Sequence, residues 1–197
     1  MPRVSEAHLA ARRQQILDAA ARCFVRNGFH QTSMQDVIKE AGLSVGAFYR
    51  YFKSKNELIT AIAGTKIGEV TSMLDDMLAQ EPTPAIPAIF ERILEIIDTN
   101  AGDGGTARIA VQVWGEAVHD AEVGAVVAEI YGRVRARAVR IAEAAKEAGQ
   151  LPADADAEGV GAALFGLIQG YILQRILVGE IDRKSYVAGV RALLAAP

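Results

Sequence analysis

The strongest constraint on the fold of this 197-residue chain is that nearly every segment places apolar residues at helical spacing. In residues 7–26, for example, Leu9, Ile16, Leu17, Ala20 and Phe24 fall on one face of a helix. No segment alternates apolar and polar residues as a half-buried strand would, and only six prolines interrupt the pattern. The chain is therefore predicted to be all-α.

Capping residues and breaks divide this pattern into about nine helices. Ser33, Ser44 and Ser54 can cap helix starts, Glu57 completes a capping box with Ser54, and Gly42 can stop the second helix. The predicted helices span residues 7–26, 33–41, 44–52, 54–79, 84–100, 105–118, 121–148, 156–178 and 183–195.

Composition predicts a folded chain in a reducing compartment. Hydrophobic residues make up 51% of the sequence, which is enough to build a core. We find no signal peptide and no unbroken apolar run of roughly 18–20 residues, so we predict a cytoplasmic protein without a membrane partner. Cys23 is the only cysteine and is interpreted as a small core residue.

Charge is distributed unevenly along the chain. Residues 1–55 hold nine lysines and arginines against four acidic residues, a net charge of +5. The remaining residues hold 12 basic and 20 acidic side chains, a net charge of −8. A basic end on an acidic protein favours binding to a phosphate backbone, although an unevenly charged solvated surface would explain it equally well.

The segment from residue 32 to residue 52 is typical of a helix-turn-helix. A short helix, a turn of Ala41, Gly42 and Leu43, and a second helix opened by Ser44 form the geometry that inserts the second helix into a DNA major groove. The turn needs Gly42 because glycine adopts positive φ at little cost.

Residues 32–55, TSMQDVIKEAGLSVGAFYRYFKSK, closely resemble the DNA-binding head of the TetR family of transcriptional regulators. The resemblance covers residues 9–60 well and implies a three-helix head over residues 1–53. It also implies a helical-bundle body for ligand binding and dimerisation over residues 54–197. A member of this family is expected to be a ligand-responsive regulator, most simply a repressor that binds double-stranded operator DNA as a homodimer and is released by an effector.

The resemblance and the chemistry together predict the DNA contacts. Residues at helix starts or in backbone-gripping positions of the family are expected to bind phosphates: Ser33, Ser44, Tyr49, Tyr51, Lys53 and Lys55. The exposed face of the third helix is expected to reach base edges through Val45, Gly46, Ala47 and Arg50, of which Arg50 can pair with guanine. Many relatives have lysine at position 45 and threonine or serine at position 47, so base reading in this chain is expected to depend more on methyl contacts and on Arg50.

The body is expected to provide a dimer surface and an effector pocket. Small and apolar residues on the last two long helices predict the dimer surface: Ala162, Gly166, Gly170, Tyr171, Gln174, Tyr186, Val190 and Leu193. A mostly apolar pocket for a small, largely apolar effector is predicted from Phe90, Leu94, Trp114, Val118, Tyr131, Arg135, Phe165, Gln169 and Ile172. Each of these side chains could instead be ordinary core.

Catalysis, metal binding and a cofactor are not expected. Three scattered histidines lack zinc-ligand spacing, and the chain has one Glu-x-x-His motif, ending at His119, where a di-metal bundle needs two. Two other classes remain open. A helical carrier of hydrophobic molecules without a DNA role would leave the basic end unexplained, and a weakly specific architectural DNA binder is disfavoured by the acidic body.

Overall fold

The computed structural model describes residues 6–101, 105, 107–179 and 181–194, and in these ranges the regular secondary structure is helical. The elements are α1 (Glu6–Asn27), α2 (Met34–Ala41), α3 (Val45–Phe48), α4 (Lys55–Leu78), α5 (Ile86–Ala101), α6 (Ala107–His119), α7 (Ala121–Glu147), α8 (Ala157–Leu173), a π-helical segment (Gln174–Val178) and α9 (Arg183–Leu194). The prediction of an all-α fold is confirmed.

The predicted bounds agree to within a few residues, except at α3. The prediction carried this helix to residue 52, but it ends at Phe48 and the chain continues as a turn. The N–H groups of Tyr51 and Phe52 both donate to the Phe48 carbonyl, at 2.9 and 3.4 Å, so the regular pattern of one acceptor per donor stops there. The third helix was therefore predicted too long.

Local capping explains the other helix ends around the turn. Ser33 caps α2, accepting from the N–H of Asp36, while the Asp36 carboxylate accepts from the N–H of Ser33 at 2.8 Å. The hydrogen bonds that the Asp36 carboxylate accepts, first from the Ser33 hydroxyl and then from the Ser33 N–H, lower the pKa of Asp36. At α4, the Ser54 hydroxyl accepts from the N–H of Glu57, but the Glu57 carboxylate accepts from the N–H of Lys53 and not from that of Ser54, so the predicted capping box is only half formed.

The chain divides into two compact units. Unit 1 comprises Met1–Thr65 and Gly104–Val127, and unit 2 comprises Lys66–Asp103 and Ala128–Pro197. Helices α4 and α7 each contribute residues to both units. The predicted boundary between a head ending at residue 53 and a body starting at residue 54 is a functional division and stays a prediction.

Each unit has its own apolar core. In unit 1, α1 packs against α2 and α6 around fully buried side chains that include Phe24, Phe48 and Leu58. Cys23 lies in this core, as predicted, and burial raises the pKa of its thiol. In unit 2, α5 packs against α8 and α9 around a second cluster.

Candidate nucleic-acid interface and effector region

The turn between α2 and α3 has the geometry of a helix-turn-helix. Gly42 adopts φ +65° and ψ +34°, the left-handed conformation that favours glycine. The N–H of Gly42 donates to the Lys39 carbonyl at 3.1 Å and the N–H of Leu43 to the Ile38 carbonyl at 3.3 Å, which closes α2. Ser44 then caps α3, its hydroxyl accepting from the N–H of Ala47. The backbone thus changes direction within the three residues between α2 and α3 and leaves one side of α3 exposed to solvent.

The residues predicted to read bases lie on or next to α3. Val45, Gly46 and Arg50 are exposed, and Ala47 is half-buried. Phe48 is fully buried in the core of unit 1, so its side chain points away from them. Arg50 follows the end of α3 in the turn. The exposed surface of this element therefore carries one cation and small or apolar groups, which suit guanine and thymine methyl contacts.

The predicted phosphate-binding residues differ in the exposure of their side chains. Ser33, Ser44 and Lys53 are exposed, whereas Tyr49 and Tyr51 are half-buried and pack against the core of unit 1. Lys53 donates from its ammonium group to the carbonyl of Tyr49. All of these side chains have polar groups beside the turn, and their DNA contacts remain predictions.

Lys55 is more enclosed than the sequence indicates. Its ammonium group donates to the carbonyls of Phe29 and His30, at 2.9 and 3.3 Å. The same nitrogen lies 4.7 Å from the centroid of the Phe29 ring. Lys55 therefore ties the start of α4 to the loop between α1 and α2, a role that the sequence reasoning missed because these residues lie 25 and 26 positions away.

Polar side chains on α1 hold α2 in place. The amide of Gln15 donates to the Ala41 carbonyl at 2.7 Å, at the end of α2. Glu40 forms ion pairs with Arg22 at 2.8 Å and Arg26 at 3.3 Å, and hydrogen bonds from these two guanidinium groups lower the pKa of Glu40. Two of the nine basic residues among residues 1–55 are thus used to position the helix-turn-helix.

Within unit 1, α6 and the start of α7 are also tied to α1, α4 and the α1–α2 loop. The amide of Gln112 donates to the Phe24 carbonyl at 3.3 Å, and Asn56 donates to Asp120 at 2.7 Å. His30 and Glu116 lie 2.9 Å apart across a cleft of about 490 Å³. The sequence places α6 in the body, and no local signal shows that it joins this unit.

The interior of unit 2 is apolar and nearly filled. A cavity of about 20 Å³, room for about one water molecule, lies among side chains of α4, α5, α7 and α8. Phe90 and Phe165, both predicted pocket residues, line it together with aliphatic neighbours. Leu94 is fully buried in the same core, and Ile172 packs against that core. An effector in this region would have to displace packed side chains.

Other predicted pocket residues lie elsewhere. Val118 is 79% exposed, because the α6 face that carries it is not covered, so its assignment to a pocket was wrong. Trp114 and Val118 belong to unit 1, whereas the other predicted pocket residues belong to unit 2. Arg135 is exposed and lies 3.6 Å from Glu158, and Gln169 is half-buried.

The predicted dimer residues fall into two groups. Ala162, Gly166, Gln174 and Leu193 are exposed, and Gly170 and Tyr186 are half-buried. Tyr171 and Val190 are buried in the core of unit 2, so a partner cannot reach them and their assignment to the dimer surface was wrong.

Tyr171 instead has an internal role. Its hydroxyl donates to Asp98 at 2.7 Å, and Asp98 also accepts from Arg175 at 3.3 Å. Burial, together with this hydrogen bond, raises the pKa of Tyr171. The ring packs edge-on against Tyr186 with 5.0 Å between centroids, and the Tyr186 hydroxyl donates to the Leu167 carbonyl. Both tyrosines thus brace α8 against its neighbours.

The exposed side of α8 is unusually apolar. The stretch Ala157–Val178 is long and apolar enough to cross a membrane: an 18-residue window within it has a mean hydropathy of 1.4, and 17% of that window is buried. The run is not unbroken, since Glu158, Gln169 and Arg175 interrupt it, and the high mean comes from its alanine, valine, isoleucine and leucine residues. One such helix is weak evidence for a membrane span, and the stretch is better described as a helix with an uncovered apolar face.

Comparison with known proteins identifies both parts of the chain. Residues 16–62 match the family model of bacterial regulatory proteins of the tetR family. Residues 89–196, more than half of the chain, match the C-terminal domain of BetI-type transcriptional repressors. The structural match is equally broad: FadR from Bacillus subtilis, solved with stearoyl-CoA, superposes with a TM-score of 0.78 at 20% identity, over 93% of this chain and 97% of that one.

Curated relatives match shares of the chain that differ widely. The chain is 46% identical over 63 residues to the HTH-type transcriptional repressor Rv1474c of Mycobacterium tuberculosis, 32% of this chain and 34% of that protein. It is 25% identical over 185 residues to the regulator UidR of Escherichia coli, 92% of this chain and 90% of that protein. For the first three relatives, the match spans between 34% and 51% of their own length. The chain belongs to the TetR family of bacterial transcriptional regulators, with a C-terminal domain of the BetI type.

Proposed function

We propose that this protein is a transcriptional repressor that binds operator DNA as a homodimer and releases it when a small, largely apolar effector binds. The observation that carries the proposal is the exposed turn and helix α3, closed by Gly42 and braced from α1, at the basic end of the chain. Net positive charge there favours the duplex, and the acidic remainder keeps other surfaces away from it.

The proposed DNA contacts follow from exposure. Arg50, Val45 and Gly46 reach base edges from α3, while Ser33, Ser44, Tyr49, Tyr51 and Lys53 bind phosphates. Lys55 contributes mainly by fixing the loop between α1 and α2, and Ala47 contributes a methyl group to the base-reading face. One such head reads only a short site, so two heads related by a two-fold axis are needed for selective binding.

The dimer is proposed to form through the uncovered faces of α8 and α9. Ala162 and Gly166 permit close approach of two helices, and Leu193 adds an exposed apolar side chain. A second copy would cover an apolar surface that is otherwise left in water, which is the main driving force for association.

The effector is proposed to enter the apolar interior of unit 2 beside Phe90 and Phe165. The stearoyl-CoA bound by the B. subtilis FadR has an acyl chain of the apolar character that this interior would accept. Because the existing cavity is small, binding must open it and favour a second conformation of unit 2. Helix α4 contributes residues to both units and is the proposed route by which this change lowers DNA affinity.

The protein is proposed to act by binding alone, in the cytoplasm, with no cofactor. In the part of the chain that the structure describes, no three histidine, cysteine or acidic side chains group as metal ligands.

The decisive experiment is a fluorescence anisotropy titration with duplexes from the region upstream of the protein's own gene, against scrambled duplexes of equal composition. We expect selective binding whose affinity falls between roughly 50 and 200 mM salt, as counterion release requires. Acyl-CoA thioesters of increasing chain length are then added, and longer chains should release the duplex at lower concentration. Absence of binding at low salt would favour a helical carrier without a DNA role. Acyl-CoA binding that leaves DNA affinity unchanged would contradict the effector mechanism.

A further inference from the structure

The cleft of unit 1 between the α1–α2 loop and α6 has the size of a small-molecule site. Its volume is about 490 Å³, within the usual range for ligand pockets. Residues 27–31 form one wall, and Gln112, Glu116 and His119 of α6 contribute to the other. All of these residues belong to unit 1, so the cleft is distinct from the apolar cavity of unit 2.

The acidic group of the cleft is enclosed but weakly held. The Glu116 side chain is only 15% exposed, and its Oε1 atom lies 2.9 Å from Nε2 of His30. The His30 side chain is 82% exposed, so it can turn into water at little cost and leave the carboxylate to another donor. A partly enclosed carboxylate attracts a cation more strongly than one in open water.

A second acceptor in the cleft has no donor. The amide nitrogen of Gln112 donates to the Phe24 carbonyl at 3.3 Å, whereas its amide oxygen is buried and accepts no hydrogen bond within the described part of the chain. Buried acceptors in native proteins nearly always receive a hydrogen bond, so this oxygen favours a ligand that brings a donor. Gln112 and Glu116 are one helical turn apart on α6, so a single small ligand can reach both.

The charges of the cleft select a cation. Of the described residues that line it, Glu116 is acidic and none is a lysine or arginine. Lys55 contacts the same loop, but its ammonium group is already bound to the carbonyls of Phe29 and His30. A metal ion fits less well, because His30, Glu116 and His119, like the other described residues, do not group as metal ligands.

We propose that this cleft is a second ligand site, which takes a small organic cation with N–H donors, such as an amidinium, a guanidinium or a primary ammonium group. The cation displaces the His30 imidazole from Glu116, and a further N–H donates to the amide oxygen of Gln112. Neither contact involves the apolar interior that the proposed function assigns to the effector.

Occupation of the cleft is expected to change DNA affinity, because one of its walls leads directly into α2. Thr32 follows that wall and is buried, and its hydroxyl donates to the carbonyls of Cys23 and Gly28. Ser33 then caps α2. A ligand that moves His30 therefore moves a loop whose next residues fix the start of the helix-turn-helix. This regulatory part rests on the proposed repressor function, whereas binding to the cleft does not.

Proton NMR of the histidine rings tests binding. The ligand is benzamidine, an aromatic amidinium, and its control is benzamide, which is neutral and nearly the same shape. The chain has three histidines: His30 and His119 line the cleft, whereas His8 lies on α1, about 28 Å before its C-terminal end. We expect benzamidine to shift the ring signals of His30 and His119 but not that of His8, and benzamide to shift none. Each signal is assigned by replacing one histidine at a time with glutamine.

Two substitutions in the cleft should change the affinity for benzamidine in opposite directions. Glu116→Gln removes the charge and should weaken binding about 10-fold or more. His30→Ala removes the competing side chain, keeps the carbonyl that binds Lys55, and should strengthen binding roughly 2- to 5-fold. Glu122→Gln is the matched control, because Glu122 is exposed at the start of α7 and does not line the cleft. Equal shifts with benzamide, or unchanged affinity in Glu116→Gln, would overturn the inference.

DNA titrations test the regulatory part separately. At constant ionic strength, saturating benzamidine should change the affinity for the operator duplex about 5-fold or more in the wild type but not in Glu116→Gln. If the wild type binds no duplex at low salt, the proposed function fails, while the NMR titration still decides whether the cleft is a site. If benzamidine binds the cleft and leaves DNA affinity unchanged, regulation through the cleft is ruled out.

Discussion

Replacing Lys55 by methionine distinguishes an internal brace from a phosphate contact. In the structure, the ammonium group of Lys55 donates to the carbonyls of Phe29 and His30 and lies 4.7 Å from the centroid of the Phe29 ring. Methionine keeps most of the apolar stem and removes only the charge and the donors. Family resemblance alone predicts weaker DNA binding with unchanged stability, whereas the structure predicts that stability also falls.

The expected loss can be worked out from these contacts. Each hydrogen bond from the half-buried ammonium group contributes about 1 kcal/mol net, and the contact with the ring contributes roughly 0.5 kcal/mol. Allowing for relaxation of the loop, Lys55→Met should lower the free energy of unfolding of unit 1 by about 2 kcal/mol, a factor of roughly 30 in the equilibrium constant.

Urea unfolding followed by tryptophan fluorescence measures this loss, because Trp114 is the only tryptophan and lies in unit 1. The salt dependence of DNA affinity is measured in parallel, since each lost phosphate contact reduces its slope by about 0.9. Lys53→Met is the matched control: Lys53 is exposed and donates to a single carbonyl, that of Tyr49, so stability should fall less than in Lys55→Met while the slope falls. If Lys55→Met retains wild-type stability within about 0.5 kcal/mol and only the slope falls, the reasoning from the structure is refuted.

Three further predictions concern the rest of the chain. Hydrogen bonds from Arg137 lower the pKa of Asp75, so the stability from this contact is present above pH 4 and is lost as pH falls through the lowered pKa; Asp75→Asn should flatten the acid limb of a plot of Tm against pH. Arg50→Ala should reduce discrimination between operator and scrambled duplex about 5- to 150-fold in anisotropy titrations without changing Tm, and unaltered selectivity would rule out base reading by this residue. Gly166→Leu should weaken dimerisation in sedimentation experiments while preserving helicity, because nothing in the chain opposes the new side chain. Gly68→Leu, in a similarly open helical position in unit 2, is its control and should leave the dimer intact.

Local signals in the sequence were sufficient to place the helices and the turn of the helix-turn-helix. Ser33, Gly42 and Ser44 act on backbone groups within a few residues, so their capping roles follow from type and spacing. The end of α3 was missed because the stop at Phe48 has no capping residue that marks it. Apolar spacing also identified the core residues Ile16, Leu17 and Phe24 of α1.

Residue types on a helix did not show which neighbour covers which face. Tyr171 and Val190 have the spacing of a dimer surface, yet α5 packs against α8 and α9, and both side chains lie in the core of unit 2. Val118 has the character of a pocket residue, yet its face of α6 is uncovered. These outcomes depend on contacts between segments far apart in the chain, which periodicity does not encode.

By itself, the sequence determined the all-helical class, the helix-turn-helix and the basic end of the chain, since each follows from local spacing, capping or charge. Only the tertiary structure decided that Lys55 bridges to the loop between α1 and α2, that α6 packs against α1 in unit 1, and that α8 leaves an apolar face uncovered. The physical reason is the separation along the sequence of the residues that interact. Helix formation is decided by hydrogen bonds four residues apart, whereas burial and ion pairing depend on where distant segments meet.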